Sequence, residues 1–315
     1  MRSLLLLPLL LSACTPPPTV SPNVETTATP TPRPDRAVPP PTFAPGAERL
    51  IGLGDVHGDL QAAREALVIA GAIDADDRWI GGELVVVQTG DQLDRGDEEE
   101  AILELFERLA EEAHQSGGAF YSLLGNHEMM NVQLDLRYVT DGGFGDFADT
   151  AWEAGDVQVE AYPEAERGRV AAFRPGGEWA SAFAQHNTMM VVGDTAFVHG
   201  AILPAHVAYG LERANQEVRA WMLGQADDPD PITGGEGPVW SRDYSDGPGA
   251  AECAALREAL DAIPAARLVV GHTVQDHANS ACDGAVWRVD VGMAAHYGGP
   301  REVIEIVAGQ VRVLD

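Results

Sequence analysis

Short apolar runs alternate with amphipathic stretches along most of the chain. Residues 50–53 and 84–87 are apolar and contain branched side chains, a pattern that predicts buried strands. A glycine-containing loop follows each run, and residues 59–70 and 97–113 then repeat apolar positions at helical spacing. Asp59 is a suitable N-cap for the first of these helices. The order of strand, loop and helix predicts an α/β body.

The same alternation continues towards the C-terminus. Residues 120–124 predict a third strand, which ends at Gly125 in another loop. Further strands are predicted at 188–192, 196–198, 268–270, 286–289, 303–306 and 311–313. The acidic residues 97–100 fall in the first turn of the second helix, where the helix dipole favours negative charge, so we expect them to be solvated.

The 141–177 segment interrupts this pattern, because it is polar, acidic and rich in glycine. Long connections of this kind often carry function, but some are only surface excursions. We therefore expect either a lid or substrate-selecting insert, or a surface loop without a chemical role.

The first residues have the pattern of an export signal. The start is positively charged, and the apolar run at 4–11 is too short to span a bilayer permanently. Residues 11–14 read Leu-Ser-Ala-Cys, which resembles the lipobox of bacterial lipoproteins. This predicts that residues 1–13 are removed and that Cys14 is lipidated; an ordinary signal peptide is the alternative. Threonine rather than aspartate follows the cysteine, which favours the outer membrane, with the body facing the periplasm.

Composition separates a tether from a globular body. Residues 14–46 are rich in proline, threonine and serine and predict a disordered spacer, whereas residues 47–315 predict the globular body. The chain has 20 basic and 49 acidic residues, a net charge of −29, and every basic residue is arginine. The lack of lysine excludes a P-loop and Schiff-base chemistry. The negative charge excludes nucleic acid as a partner and limits membrane contact to the lipid anchor.

Two cysteines lie in the predicted body. Cys253 and Cys282 would be exposed to an oxidising compartment after export. They are interpreted as a candidate disulfide, with two unpaired buried thiols as the alternative.

Metal-competent side chains follow five of the apolar runs. Ligands of open α/β sheets bind beyond the strand ends, so we expect these side chains to converge. Oxygen and imidazole donors without a thiolate suit Mn²⁺, Fe or Zn²⁺. The donor residues are Asp55 and His57, then Asp91 and Asp94, then Asn126 and His127, and finally His199 and His272; Arg95 adds a cation beside the two carboxylates of the second loop.

Three of these loops form a recognisable set. Residues 54–58, 90–96 and 125–128 read Gly-Asp-x-His-Gly, Gly-Asp-x-x-Asp-Arg-Gly and Gly-Asn-His-Glu. The set resembles the calcineurin-like metallophosphoesterases, in particular their phosphoprotein-phosphatase branch. Residues 129–131 and 237–242 are similar to the Shewanella-like phosphatases of bacteria and plants. The resemblance implies a two-sheet β-sandwich flanked by helices, with four layers in the order α/β/β/α.

The resemblance also implies a site with two divalent cations, which would be Mn, Fe or Zn. Asp55 and His57 would hold the first cation, and Asp91 would bridge to the second. The remaining ligands of the second cation would be Asn126, His199 and His272. A hydroxide that bridges the cations would attack phosphorus in line with the leaving oxygen.

Four more residues receive roles from the same resemblance. His127 would donate a proton to the leaving oxygen, and Asp94 would orient it. Arg95 and Arg242 would hold the phosphate, which a planar guanidinium fits well.

The predicted activity is hydrolysis of phosphoric monoesters. We expect a protein phosphatase acting on phosphoserine and phosphothreonine or on phosphotyrosine, so its partner would be a phosphorylated protein or a small phosphomonoester. One alternative is a nucleotide or phosphodiester hydrolase on the same fold. A second is a catalytically silent binding module of the cell envelope.

Overall fold

The computed structural model describes residues 38–315, which form two β-sheets and eleven α-helices. The predicted signal peptide, Cys14 and most of the tether lie outside the described residues. The strands are β1 Phe43–Ala44, β2 Arg49–Leu53, β3 Val85–Gln88, β4 Ala119–Ser122, β5 Met189–Val192, β6 Thr195–Val198, β7 Arg267–Val270, β8 Asn279–Ala281, β9 Val286–Arg288, β10 Val303–Val307 and β11 Gln310–Leu314. The helices are α1 Leu60–Ile69, α2 Glu99–Gln115, α3 Asn126–Val132, α4 Asp141–Asp146, α5 Val157–Glu160, α6 Arg167–Phe173, α7 Glu178–Phe183, α8 Pro204–Tyr209, α9 Leu211–Met222, α10 Asp230–Thr233 and α11 Ala250–Ala262.

Both sheets are mixed. One has five strands in the order β11-β10-β2-β3-β4, with β2, β3 and β4 parallel. The other has six strands in the order β1-β5-β6-β7-β9-β8, with β6, β7 and β9 parallel. The carboxyl ends of neighbouring parallel strands lie at one edge of each sheet, so the loops that follow them are neighbours.

The sheets pack face to face, which confirms the predicted helix-flanked sandwich. In β5, Met190 and Val192 enter the core shared with the five-stranded sheet, whereas Met189 and Val191 enter a second core under helices. This alternation follows from the two-residue period of a strand. At Gly52 the sheets come so close that an added Cβ would lie 3.2 Å from Cγ1 of Val269.

The predicted secondary structure needs three corrections. Gly125 is followed by helix α3 rather than by an extended loop, because the side chain of Glu128 bonds the amide of Gly125 and closes the first turn. Strand β8 was not predicted, since its three residues are polar or small. The folded body begins before residue 47, because β1 pairs with β5 and the side chain of Asn187 donates to the carbonyl of Pro40.

The 141–177 segment is mostly helical and consists of α4, α5, a 3-10 turn at Glu164–Glu166 and α6. Phe147 and Phe173 are buried, with their ring centroids 4.8 Å apart. Gly168 allows this packing, since a Cβ there would lie 2.1 Å from the carbonyl oxygen of Phe147. A segment that buries such side chains is not a mere surface excursion.

Glu99 overturns the expectation that residues 97–100 are solvated. Its side chain is 0% exposed and forms an ion pair with Arg169 of α6. The reason is tertiary: the 141–177 segment folds over the start of α2 and covers this carboxylate.

Among residues 38–315, no helix combines the length and the apolar character that a bilayer crossing needs.

Cys253 in α11 and Cys282 after β8 form a disulfide, with their Cα atoms 5.3 Å apart. The bond joins a peripheral helix to the edge of the six-stranded sheet.

The disulfide should stabilise the fold. The bridged cysteines are 29 residues apart, so the double change Cys253→Ser/Cys282→Ser should lower the free energy of unfolding by about 3–4 kcal/mol through greater freedom of the unfolded chain. Urea denaturation with and without reductant measures this. Reductant should destabilise the wild type and leave the stability of the double variant unchanged. Equal stability of the wild type and the double variant without reductant would contradict the prediction.

Candidate metal centre and active site

The loop after β2 supplies the first pair of predicted ligands. Asp55 and His57 are 2% and 4% exposed. Nδ1 of His57 bonds the carbonyl of Leu93 at 3.0 Å, so Nε2 faces the site. This nitrogen lies 4.0 Å from Oδ2 of Asp55 and 3.6 Å from Oδ2 of Asp91.

The loop after β3 supplies Asp91, and a buried carboxylate holds this loop in place. Glu128 of α3 accepts main-chain hydrogen bonds from Asp91 at 2.8 Å, Gln92 at 2.9 Å and Leu93 at 3.3 Å. It also accepts from the amide of Gly125 at 2.7 Å. One side chain thereby joins the second and third loops and fixes the position of Asp91.

The second group of donors comes from both sheets. Nε2 of His199, which follows β6, lies 2.9 Å from Oδ1 of Asn126 and 3.1 Å from Nδ1 of His272. It lies 3.2 Å from Oδ2 of Asp91. The structure therefore brings all six predicted ligands into one buried neighbourhood, with Asp91 between the two groups.

The arrangement of the donor atoms is suited to binding cations, because their lone pairs face one another. The remaining ring nitrogens of two histidines are used by main-chain carbonyls: Nδ1 of His199 by Thr89 at 3.0 Å, and Nε2 of His272 by Trp240 at 3.1 Å. With those nitrogens protonated, the inward-facing nitrogens carry no hydrogen. Asn126 and Asp91 add oxygens, so a cation at the centre would satisfy the donor atoms that face it. Oxygen and imidazole donors suit a divalent transition metal.

Burial and mutual repulsion set the pKa values of the ligands. Burial lowers the pKa of His57 to about 4, and burial with the nearby His199 lowers that of His272 to about 2, so both are neutral near pH 7. Burial and the carboxylates of Asp290 and Asp91 raise the pKa of Asp55 well above its usual range. The site thus presents neutral imidazoles and crowded carboxylates, as metal ligation requires.

His127 differs from the other histidines of the site. Its Nδ1 bonds Oδ2 of Asp94 at 2.5 Å, and its Nε2 lies 3.8 Å from Oδ2 of Asp91. Burial lowers the pKa of His127, but the charges of Asp91 and Asp94 outweigh burial and raise it. Although Nε2 lies close enough to join the first donor group, a protonated imidazole binds metal poorly and is a suitable proton donor.

The two predicted phosphate-binding arginines lie beside different donor groups. Arg95 follows Asp94, and its guanidinium carbon lies 4.5 Å from the ring centroid of Tyr138 and 5.5 Å from that of Tyr297. Nη1 of Arg242 donates to the carbonyl of His272 at 3.3 Å. Arg95 is half-buried and Arg242 is exposed, so each presents a solvent-accessible cation beside a donor group.

The backbone at the site is locally strained. Residues other than glycine seldom adopt positive φ, yet several site residues do, and such positions occur where surrounding contacts compel them. They are His57, Asp91, Asp94, Arg95 and His272, with φ between 41° and 68°. Glycine is needed where the backbone meets a ligand: a Cβ on Gly271 would lie 2.3 Å from Oδ1 of Asp55.

Sequence reasoning missed three buried groups at the site. Asp290 follows β9, hydrogen-bonds Asp55 and has its pKa raised to about 6 by burial; its place directly after an apolar run was a usable signal. Arg169 and Glu99 were missed because they lie within polar stretches that have no strand-end pattern.

Two facing donor groups at the strand ends of a helix-flanked double sheet are the arrangement of a two-metal hydrolase. Comparison with known proteins agrees. The model of the calcineurin-like phosphoesterase family matches residues 48–276. The chain therefore belongs to the calcineurin-like phosphoesterase family and is a metal-dependent phosphoric monoester hydrolase.

Three individual proteins illustrate the likeness. Shewanella-like protein phosphatase 2 of Arabidopsis thaliana is 43% identical over 293 residues, which cover 82% of this chain and 75% of that protein. A solved cold-active protein tyrosine phosphatase has 26% identity and a TM-score of 0.71, covering 88% of this chain and 81% of that one. A protein serine/threonine phosphatase of Saccharomyces cerevisiae shares the fold alone, with 14% identity, a TM-score of 0.53 and coverage of 89% and 85%.

Metal binding should stabilise the protein, because a cation satisfies the facing lone pairs of the folded state only. Adding Mn²⁺ at about a hundred times its Kd to chelator-treated protein should raise the unfolding free energy by about 2.7 kcal/mol per site. Asp91→Asn should remove most of this gain, since Asp91 faces both donor groups. Thermal unfolding and metal analysis measure the effect, and Asp76→Asn, a change at an exposed residue, is the control. An undiminished Mn²⁺ shift in Asp91→Asn would contradict the ligand assignment.

Proposed function

We propose that this protein is a phosphoprotein phosphatase with a preference for tyrosine phosphate. The observation that carries the proposal is the His127–Asp94 pair, at 2.5 Å, beside two donor groups that share Asp91. Proton donation to the leaving oxygen and cations for the phosphate are the two needs of monoester hydrolysis.

The residues of the chain have separate tasks in this reaction. Arg95 and Arg242 bind the phosphate oxygens and set its orientation. His127 holds a proton at Nε2 for the leaving oxygen, while Asp94 accepts the hydrogen of Nδ1 and so fixes the ring. Bound cations supply the activation of water and the neutralisation of charge on phosphate.

The rim of the site favours an aromatic substrate. Tyr138 and Tyr297 are 38% and 39% exposed and flank Arg95, whereas His127 below them is only 4% exposed. The tyrosine rings contact His57 and His127, so an aryl phosphate whose phosphate enters the site would bring its ring against the two tyrosines. The solved relative named a cold-active protein tyrosine phosphatase supports the same preference.

The substrate preference can be measured directly. The Mn²⁺-loaded protein should hydrolyse a phosphotyrosine peptide with a kcat/KM at least about tenfold above that for the matched phosphoserine peptide. Tyr138→Ala should lower the phosphotyrosine value about three- to tenfold, the loss expected for one aromatic contact, and leave the phosphoserine value almost unchanged. A preference for phosphoserine would overturn the tyrosine assignment. Faster hydrolysis of nucleotides or diesters than of either peptide would overturn the phosphoprotein assignment.

We further propose that the protein is a bacterial outer-membrane lipoprotein whose catalytic body faces the periplasm. The Leu-Ser-Ala-Cys sequence at 11–14 and the proline-rich tether support lipid attachment at Cys14. The net charge of −29 supports a need for a covalent anchor, because anionic lipid repels such a body.

Lipid attachment can be tested by metabolic labelling. Expressed with its own signal in a Gram-negative bacterium, the protein should incorporate an alkyne fatty acid and fractionate with the outer membrane. Cys14→Ser should abolish the label and release the body, whereas Cys253→Ser should keep the label. Labelling that persists in Cys14→Ser, or a wild type without label, would contradict the proposal.

A further inference from the structure

Arg169 connects the 141–177 segment to the proton donor. Its side chain is 0% exposed, and its Nη2 donates to Oδ1 of Asp94 at 3.1 Å. We propose that Arg169 is a positioning residue for hydrolysis, which holds Asp94 so that His127 presents its proton to the leaving oxygen. This inference rests on the proposed function and assigns the 141–177 segment a chemical role.

The two oxygens of Asp94 have different partners. Oδ2 bonds Nδ1 of His127, whereas Oδ1 accepts from Arg169 and from Nδ2 of Asn131, both at 3.1 Å. The side chain of Asp94 is 0% exposed, so protein donors rather than bulk solvent fix the plane of its carboxylate. Its orientation towards His127 therefore depends on the two donors at Oδ1.

Arg169 also orients the second of those donors. Its Nε donates to Oδ1 of Asn131 at 2.8 Å, which turns the amide group so that Nδ2 points to Asp94. The same Nδ2 donates to the carbonyl of His127 at 2.9 Å. One guanidinium thus fixes Asp94 both directly and through Asn131.

The cationic guanidinium of Arg169 lies between the carboxylates of Asp94 and Glu99. Oε1 of Glu99 accepts a hydrogen bond from the main-chain amide of Asp94 at 2.9 Å. Oε2 of Glu99 accepts one from Nη1 of Arg169 at 2.5 Å. Asp94 and Glu99 are two fully buried carboxylates on either side of one guanidinium. When both carboxylates are ionised, they would repel each other without a cation between them.

The segment holds the guanidinium rigidly. The guanidinium carbon lies 5.2 Å from the ring centroid of Phe147 and 5.1 Å from that of Phe173. Nη1 also donates to the carbonyl of Gly143 at 2.9 Å. These contacts come from α4, from Phe147 directly after it and from α6, so the segment delivers one charge to a defined point behind the proton donor.

The test uses leaving groups that differ in their need for a proton. Phenolate is a poor leaving group and p-nitrophenolate a good one, so only phenyl phosphate depends strongly on His127. In the full-length Mn²⁺-loaded protein, Arg169→Met should lower kcat for phenyl phosphate by about 10²-fold and that for p-nitrophenyl phosphate by less than about tenfold. KM should change little, because Arg169 does not contact the phosphate site. Arg169→Lys, which keeps the charge, should fall between wild type and Arg169→Met.

Two comparisons separate positioning from a general loss of structure. In a His127→Asn background, Arg169→Lys should cause no further loss with phenyl phosphate, since the residue acts through His127. Arg174→Met is the matched control, because Arg174 lies at the end of the same helix and pairs with Asp156 rather than with the site. It should behave as wild type with both esters.

The possible results distinguish this inference from the proposed function. Equal losses with both esters in Arg169→Lys, or a full additional loss in the His127→Asn background, would overturn the positioning role and leave the phosphatase assignment intact. If Arg169→Met does not fold, Arg169→Lys and the double variant decide the question. A wild type that hydrolyses no phosphomonoester would overturn the proposed function and this inference together.

Discussion

The buried carboxylate of Glu128 is the interaction on which the geometry of the site depends. It accepts four main-chain hydrogen bonds, one from Gly125 and three from residues 91–93. A fully buried carboxylate is costly unless its oxygens are satisfied, so the loops after β3 and β4 must come together around it. This closure puts Asp91 between the two donor groups and starts α3 so that Asn126 and His127 face inward. A loop that satisfied Glu128 differently would move all three residues at once.

A second constraint lies in the histidines. Main-chain carbonyls take one ring nitrogen of each of His57, His199 and His272, which leaves the other nitrogen directed at acceptor atoms. The fold therefore encloses a cluster of facing lone pairs, which the main-chain amides of His127 and His272 compensate only in part. Strain at His57 and His272, both at positive φ, adds to the cost. The sandwich core has to supply the stability that this cluster lacks, and bound cations turn the same cluster into a favourable one.

The strand-end residues could be predicted because two simple signals coincide in them. A buried strand has a recognisable composition, and a polar side chain directly after it lies at the sheet edge where ligands bind. Asp55, Asp91 and His199 combine both signals. Arg169 and Glu99 have neither, since Arg169 lies in the short helix α6 and Glu99 begins the long helix α2, and distant residues set the packing of both side chains. Strand β1 was missed for a similar reason, because its pairing with β5 depends on tertiary contacts rather than on its own two residues.

The site divides into two parts that different regions of the chain build. The strand ends supply the donors for cations, and their positions follow from the sandwich itself. His127, the proposed proton donor, lies on α3, but the side chains behind it come from α2 and from the 141–177 segment. Because Arg169 contacts Asp94 and none of the six predicted metal ligands, changes in this segment can alter how leaving groups are protonated without altering cation binding. A connection that reads as a polar interruption of the α/β pattern thereby acts on chemistry through one buried charge.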